Sequence, residues 1–571
     1  MFHVINLASE DHYCSLSLKE LLAYVTDNPV TQLVIFRKSS FTSCAVSDVG
    51  TVLVYGMAWR RNSSVSLRAA DLVDTKSFDI DDVTGQFVIV NWNRITSKLT
   101  IKTDYFGTRS LYYYRKGRSL IVAQESLVLR AVLSEKLVID KNAFAVSLTN
   151  YFPLPSPCIP TVVSNIRRVC GNCTLEFDGL HVTESNTIPT IKSDVLNAIE
   201  LYAGYDSQAL LEGVRESIFD DITRVSATGL ESSLDLSGGL DSGVLLGVLK
   251  SKGHLPHSLN SLVCSGSLDI ERSNLEQWRS FVPTELNMIE LMPEADDLVY
   301  ELNSGGHLDV STVGIIHINE LVKANSSNNP GLRFIGFGPD EFMTHPIRSV
   351  TSEVLFDGRF LAMGRRAIGQ KIREYSVTKL PEFIVKCLYS KTTPGWVSES
   401  ARRDIVTHKV AFASYLRNIY SLGAVGNRIY KLHFYQYFSL QLPLNDQISL
   451  RNEIFCYYPY LNEHTLALSH ALAQRGHLSN NRDMKYQFRN IMKDVLPGYL
   501  QQHSARNEDF AAFNRLVQRD FIRNSAARTP VTLMEHGLIN KILFEKNLSS
   551  KNIPVSALFR IYSHEAFLKA L

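Results

Sequence analysis

The sequence lacks the features that mark membrane and secreted proteins. No stretch reaches the roughly 18 uninterrupted apolar residues of a membrane span, and Met1–Glu10 has neither the basic start nor the apolar core of a signal peptide. We therefore expect a cytoplasmic protein with no membrane span. The chain also lacks a charge excess, because 59 Lys and Arg residues against 57 Asp and Glu residues leave a net charge of +2. This balance argues against a protein that coats nucleic acid, and we expect no nucleic-acid partner.

Cysteine is scarce, and the 8 cysteines are scattered along 571 residues. This usage fits buried reduced thiols better than a disulfide scaffold. Cys170-Gly171-Asn172-Cys173 has the spacing of half a zinc site or a redox pair. A second metal-ligand pair is not close in sequence, and Gly-Asn is typical of a hairpin turn, so we predict a structural turn here.

Length and pattern divide the chain into two parts. At roughly 100 to 200 residues per domain, the length allows two to four domains. Up to about residue 190, short β-like runs separated by turn residues predict an antiparallel meander or β-sandwich, at 32–36, 51–55, 85–91, 98–103, 110–114 and 120–123. We place the boundary near residue 200, between domains at 1–195 and 205–571.

The second part alternates strands and helices. Strands are predicted at 233–236, 261–265, 288–291 and 333–336, with helices at 243–250, 272–281 and 315–324. This alternation predicts a parallel sheet with helices on both faces. Beyond about residue 350 the pattern is mostly helical, so we expect the sheet to be complete by then. The fold class is thus α+β followed by α/β, with a helical extension.

A glycine-rich turn, Ser237-Gly238-Gly239-Leu240-Asp241-Ser242, follows the first of these strands. A strand that opens into a helix through glycines presents backbone N–H groups to an anion at the positive end of the helix dipole. The hydroxyls of Ser237 and Ser242 can donate to phosphate oxygens, whereas Asp241 would repel phosphate and therefore indicates a bridging Mg²⁺. The alternative is a turn without a ligand, but the complete motif favours the PP-loop of ATP pyrophosphatases. The Walker lysine motif is absent, which disfavours γ-phosphoryl transfer.

A second strand runs into small residues and an acidic pair, in Phe334-Ile335-Gly336-Phe337-Gly338-Pro339-Asp340-Glu341. Because parallel strands end at the same edge of a sheet, Asp340 can face Asp241 across a nucleotide. The two carboxylates would then hold Mg²⁺. The alternative is that Asp340 caps the helix that follows.

Further motifs lie at 85–87, 103–113, 123–126, 139–140, 160–161 and 166–169, and later at Pro459-Tyr460-Leu461-Asn462 and 482–489, the latter preceding Leu496-Pro497. Together with the PP-loop they resemble the asparagine synthetase family over most of the chain. The resemblance implies an N-terminal glutamine-amidotransferase-like β-sandwich and a C-terminal ATP pyrophosphatase domain, with ATP and Mg²⁺ as cofactors.

The chain departs from that family at position 2. A working glutaminase of the family uses Cys there, with its own α-amine as base, whereas this sequence has Phe2, and Cys14 lies too far in to supply an N-terminal amine. We therefore expect no glutamine hydrolysis. Two branches of the family take the amine from the substrate itself, the β-lactam synthetases and the lasso peptide macrolactam synthetases, and both adenylate a carboxylate before closing a ring.

We interpret the chain as a lasso peptide cyclase. A basic segment at 351–430, with 13 Lys or Arg against 6 Asp or Glu, permits a peptide cleft, although a solvated helical face explains it equally well. A β-lactam-type or other small-molecule amide ligase is the alternative within the family. An alternative of another class is a non-catalytic scaffold with a decayed nucleotide site, against which the intact PP-loop and Lys485 argue.

The resemblance implies that an Asp or Glu side chain of a leaderless core peptide is adenylated and then joined to the peptide's own N-terminus as an isopeptide bond. Lys485 is the main catalytic candidate, as a cation near the α-phosphate or the oxyanion, and Glu453 or Asp446 are candidates for the base. Expected partners are the precursor core peptide, a leader peptidase and a leader-recognition protein. Asp241 and Asp340 are the metal candidates, and we assign nucleotide binding to Leu236, Ser237, Gly238, Gly239, Leu240, Asp241, Ser242, Val263, Gly336 and Gly338.

Overall fold

The computed structural model of the protein describes residues 1–7, 13–27, 32–61, 63, 65–73, 82–133, 137–148, 158–185, 187–264, 269–291, 321–322, 331–343, 386, 390, 393–420, 441–475, 485–502, 530–550, 553 and 555–570. The strands are β1 Phe2–Asn6, β2 Tyr13–Leu16, β3 Gln32–Arg37, β4 Thr42–Val46, β5 Gly50–Arg60, β6 Val83–Asn93, β7 Lys98–Thr103, β8 Tyr112–Lys116, β9 Ser119–Ala123, β10 Cys158–Pro160, β11 Ile166–Val169, β12 Thr174–Phe177, β13 Val182–Glu184, β14 Ser232–Asp235, β15 Ser258–Cys264, β16 Leu286–Leu291, β17 Leu332–Phe334 and β18 Phe455–Tyr457. The α-helices are α1 Leu18–Asp27, α2 Ala70–Val73, α3 Ser126–Val132, α4 Lys141–Leu148, α5 Thr187–Leu201, α6 Ser207–Ser226, α7 Leu240–Ser251, α8 Asp269–Phe281, α9 Pro339–Phe342, α10 Glu399–Tyr420, α11 Gln441–Arg451, α12 Glu463–Arg475, α13 Tyr486–Ile491, α14 Gly498–Gln502, α15 Val531–Glu535, α16 Lys541–Ser549 and α17 Val555–Ala570.

Two stacked sheets form the N-terminal part. One has the strand order β10-β11-β8-β9-β3-β1-β2 and the other β13-β12-β7-β6-β5-β4. Residues that alternate along the strands share a core between the sheets, including Val34 and Val122 from the first and Leu53 and Val90 from the second. The predicted β-rich sandwich is therefore present, although β3 and β9 pair in parallel rather than antiparallel.

Both outer faces of the sandwich carry further apolar side chains. On the first sheet, residues such as Val4 and Ile35 pack with helices from both ends of the chain, represented by Phe144 of α4 and Phe567 of α17. The outer face of the second sheet has a smaller apolar cluster, which includes Phe87. The sandwich and the C-terminal helices thus share one buried interface rather than a loose linker.

A five-stranded parallel sheet follows, with the order β16-β15-β14-β17-β18. The predicted strands and helices of this part appear near their expected positions, and residues of α6, α7 and α8 pack with the sheet, for example Val214, Val244 and Trp278. The prediction that the sheet ends before residue 350 is wrong, because β18 pairs in parallel with β17. The helix predicted at 315–324, except for 321–322, and much of the basic segment at 351–430 lie outside the described residues.

A buried polar network joins the two parts. Asp446 on α11 accepts hydrogen bonds from Arg109 Nη1 at 2.7 Å, from Tyr55 Oη at 2.6 Å and from both the amide and the hydroxyl of Ser110 at 2.8 Å. The carboxylate needs these partners, because an unpaired buried charge is costly. The side chain of Gln86 holds the backbone of Tyr458 from both sides, donating to its carbonyl at 2.8 Å and accepting from its N–H at 3.2 Å.

Residues Cys170 to Cys173 form a turn between β11 and β12, with Asn172 at φ 50° and both thiols free and buried. The predicted structural turn is therefore present. Among the described residues, no helix combines the length and apolarity that crossing a membrane requires.

Candidate functional site

The glycine-rich turn connects β14 directly to α7. Gly239 is the residue before the helix, with φ −90° and ψ 173° and no side chain to cap the first turn. The amides of the first helical turn have no intrahelical acceptor, so they are available to an anion from outside the helix. The Ser237 amide and hydroxyl lie 3.0 Å from the hydroxyl of Ser242, which ties the two ends of the turn together.

Two tyrosines from the C-terminal part fix the orientation of this turn. The hydroxyl of Tyr460 donates to the carbonyl of Asp241 at 2.6 Å, and that of Tyr499 donates to the carbonyl of Gly238 at 3.2 Å. In a trans peptide the N–H of the next residue points away from the carbonyl. Both bonds therefore favour a turn whose next amides, those of Ser242 and Gly239, face away from the tyrosines; the Gly239 amide is shared with the Ser237 carbonyl.

The end of β17 passes close to the start of α7. A Cβ on Gly336 would lie 3.1 Å from the amide nitrogen of Ser242, tighter than ordinary contact. Gly338 has φ +133°, and a Cβ there would come within 2.7 Å of the Tyr460 side chain. Gly338 precedes α9, in which Pro339 is followed by Asp340, so Asp340 lies inside the first turn and does not cap it.

Lys485 brings the two predicted metal ligands together. Its Nζ lies 2.8 Å and 2.6 Å from the two carboxylate oxygens of Asp241, and 2.6 Å from Oδ1 of Asp340. The side chains of Lys485 and Asp241 are only 15% and 18% exposed, whereas that of Asp340 is 72% exposed. Three residues from distant parts of the sequence therefore form one charged cluster beside the N-terminus of α7.

The charges in this cluster change one another's ionisation. Burial raises the pKa of Asp241 to about 6, and the nearby Asp340 carboxylate adds to this rise while Lys485 opposes it. Burial alone would lower the pKa of Lys485, but the Asp241 and Asp340 carboxylates outweigh it and the pKa is raised. Lys485 is consequently an ammonium ion that bridges two carboxylates.

The donor set fits Mg²⁺ held jointly with a triphosphate. Carboxylate oxygens are the protein ligands that Mg²⁺ prefers, and one or two of them with phosphate oxygens and water complete its shell. Asp241 and Asp340 already hold a cationic group between them. The described residues contain no group of three or more His, Cys, Asp or Glu that could hold a metal without such help.

The other predicted site residues are placed as follows. Leu236, Leu240 and Val263 have buried side chains within the core, so they could contribute backbone or a wall but no charge. Glu453 is in the turn before β18, where the Phe455 amide bonds to the Gly331 carbonyl ahead of β17. This is the amino edge of the parallel sheet, opposite the glycine-rich turn, so the structure does not bring Glu453 to Lys485.

Asp446, the other candidate base, is also absent from the cluster. Its two oxygens are occupied by Tyr55, Arg109 and Ser110 of the N-terminal part, and the side chain is about 1% exposed. This saturation explains why it cannot accept a proton from a substrate amine: its lone pairs are already committed within the domain interface.

Sequence reasoning missed the two tyrosines. Tyr460 is part of a motif that was recognised, but nothing in its spacing assigned the hydroxyl to the glycine-rich turn. Tyr499 follows Pro497-Gly498 with no local signal at all. A further ion pair lies within the sheet, where Arg333 of β17 donates to Asp235 at the end of β14 at 2.9 Å and 2.5 Å.

Comparison with known proteins gives a partial match. The chain is similar to an asparagine synthetase. The relative is asparagine synthetase (glutamine-hydrolyzing) 2 of Bacillus subtilis (strain 168), with 27% identity over 177 residues. The match covers 29% of this chain and 22% of the relative, so the chain matches about a fifth of that protein's length. No protein-family model matches the sequence.

Proposed function

We propose that the chain is an ATP-dependent, AMP-forming amide ligase of the asparagine synthetase type, and that it closes the macrolactam ring of a lasso peptide. The observation that carries the proposal is the contact of Lys485 with Asp241 and Asp340 beside the amides that open α7. The partial similarity to an asparagine synthetase supports the general activity. The peptide substrate is the finer part of the proposal.

In the first step a carboxylate oxygen of the peptide attacks the α-phosphorus of ATP, the bond to the β-phosphate oxygen breaks, and pyrophosphate leaves. The first-turn amides of α7 and the Ser237 and Ser242 hydroxyls orient the phosphates. Lys485 supplies a fixed positive charge for the negative charge that accumulates on the α-phosphate oxygens. Asp241 and Asp340 would hold Mg²⁺, which neutralises the triphosphate when it is bound.

In the second step the peptide's N-terminal amine attacks the acyl carbon, the bond from that carbon to the AMP oxygen breaks, and AMP leaves with its electron pair. An oxyanion forms at the acyl carbon, and the same Lys485 ammonium can stabilise it. A peptide that is held folded brings amine and acyl carbon together, and orientation of this kind can contribute roughly 7 to 11 kcal/mol.

The amine source separates this proposal from a glutamine-dependent synthetase. Cys14 lies inside β2, so its nitrogen is a peptide amide rather than a free α-amine, and burial raises the pKa of its thiol. The N-terminal domain therefore offers no activated nucleophile at Cys14. We include in the proposal a linear core peptide as substrate, with a leader peptidase and a leader-recognition protein as partners.

The test uses the full-length protein with Mg·ATP and the linear core peptide encoded beside its gene. We expect pyrophosphate release and a product lighter by one water, measured by mass spectrometry. The matched control is the same peptide with an acetylated N-terminus, which should still allow adenylation but cannot form the ring. Asp340→Asn should reduce pyrophosphate release with both peptides.

The outcomes distinguish the alternatives. Pyrophosphate release with a small amino acid and not with the peptide would replace the lasso cyclase by a β-lactam-type or other small-molecule ligase. The absence of release, together with an absence of ATP binding, would make the chain a scaffold and refute the proposal.

A further inference from the structure

A cavity of about 920 Å³ lies between the outer face of the six-stranded sheet and helices α5 and α12. It shares no lining residue with the predicted nucleotide site. Strand residues that point away from the sandwich core form one wall, among them Phe87 of β6 and Lys102 of β7, and Tyr202 and Glu463 lie on the opposite side. Its volume is within the range of small-molecule sites.

The interior of the cavity is charged. Arg61 Nη2 pairs with Glu463 Oε2 at 3.0 Å, and the Tyr105 hydroxyl donates to Asp194. The charged side chains of the lining, histidine apart, are two cations, Arg61 and Lys102, against the three carboxylates of Asp194, Glu463 and Glu200. The lining therefore has one more negative than positive charge.

Two of these carboxylates are close enough to disturb each other. Burial is the main cause that raises the pKa of Glu463, and the charge of Asp194 adds to it while Arg61 opposes it. Burial also raises the pKa of Asp194, against the Tyr105 hydrogen bond and the charges of Lys102 and Arg61. The two basic side chains thus leave the carboxylates incompletely compensated.

The remaining lining is apolar and aromatic. Leu201, which is 69% exposed, and Tyr202 stand at the end of α5, and Phe87 is buried in the opposite wall. A ligand that fills this space would contact rings and aliphatic carbons with one part and the carboxylates with another. Ligand sites in proteins commonly combine these two kinds of lining.

We propose that the cavity binds an organic ammonium ion with an aromatic or aliphatic body, its charged nitrogen between Asp194 and Glu463. A cation there satisfies carboxylate lone pairs that Tyr105 and Arg61 leave open, and the apolar body covers Tyr202 and Phe87. The inference does not depend on the proposed ligase activity, because the cavity contains none of the residues of that site.

The experiment compares 2-phenylethylamine with 2-phenylethanol, which has the same aromatic body without the charge. Isothermal titration calorimetry at neutral pH measures both probes against the wild-type protein, the Asp194→Asn/Glu463→Gln double variant and, as a control, Glu276→Gln on the exposed surface of α8. We expect the amine to bind the wild type and the control equally, at least about tenfold more tightly than the alcohol, and to lose about tenfold in affinity in the double variant, because hydrogen bonds to charged groups are the strong ones.

Equal affinity for the amine and the alcohol would overturn the inference, and so would amine binding that the double variant leaves unchanged or an absence of amine binding to the wild type. Both substitutions keep an acceptor oxygen for Tyr105 and Arg61, so folding should persist, which thermal unfolding of the variant checks. If the double variant is unfolded, the single Asp194→Asn variant and the wild-type comparison of the two probes decide the question.

Discussion

Replacing Lys485 by Met should make the protein bind a divalent cation more tightly in the absence of nucleotide. The reason is competition: the ammonium lies 2.6 Å to 2.8 Å from oxygens of both Asp241 and Asp340, the oxygens that Mg²⁺ would use. Methionine keeps the length of the side chain and removes its charge. A cation that enters the variant therefore does not have to displace or repel another cation.

The magnitude follows from exposure. A pair of unit charges about 4 Å apart interacts with about 4 kcal/mol at the effective dielectric constant of a protein surface. Only part of this is recovered on metal binding, because a displaced ammonium gains water, and the contact with Asp340 is weakened by its 72% exposure. A net gain of about 1.4 to 2.7 kcal/mol corresponds to an affinity increase of about 10- to 100-fold.

The assay is titration of the nucleotide-free protein with Mn²⁺, with free Mn²⁺ measured by electron paramagnetic resonance. Lys493→Met is the matched control, because Lys493 is exposed on the next turn and contacts neither carboxylate in the cluster. Its Mn²⁺ affinity should equal that of the wild type. An unchanged or weaker affinity in Lys485→Met would refute the argument, since it would show that the ammonium does not occupy the cation position.

Three further predictions follow from the same geometry and from the C-terminal helix. Lys485→Ala should retain ATP binding by calorimetry and lose about 10² to 10³ in the rate of cyclised product, and Lys485→Arg should rescue poorly because a planar fork cannot replace a compact ammonium; near-normal cyclisation would contradict this. Tyr460→Phe should weaken ATP binding severalfold, because the turn loses the 2.6 Å bond to the Asp241 carbonyl. Burial lowers the pKa of His564 to about 3, so the native state binds fewer protons than the unfolded state as pH falls below 6.5. Between pH 7 and pH 5 this should remove about 2 kcal/mol of stability, and urea unfolding of His564→Gln should show a smaller loss.

The local parts of the fold could be predicted from the sequence because their signals are local. The strand at 98–103 is found as expected, since alternating polarity and flanking turn residues determine it. β18 was missed because a buried strand of three residues has the same apolar run as a helix segment, and its partner β17 is more than 100 residues away in sequence. Parallel pairing at that separation leaves no periodic trace.

The candidate site shows the same division. Asp241 and Asp340 were expected to meet because both follow parallel strands that end at one edge, and the contact with Lys485 places them within reach of one ammonium. Glu453 was chosen for its proximity in sequence to the strand motif, but it precedes β18 and lies at the opposite edge. Sequence distance does not reveal on which side of a strand a residue lies.

The N-terminal domain acts on the glycine-rich turn through the backbone of β18. Gln86 holds the Tyr458 backbone on both sides, and the Arg109 guanidinium donates to the Cys456 carbonyl. Two residues after Tyr458, the Tyr460 hydroxyl donates to the Asp241 carbonyl. Because each bond in this series is buried and strained little by surface water, a shift of the sandwich would displace Tyr460 and with it the turn that presents the amides. A domain without an activated nucleophile at Cys14 therefore still has a structural task, which is to hold the strand that orients the predicted nucleotide site.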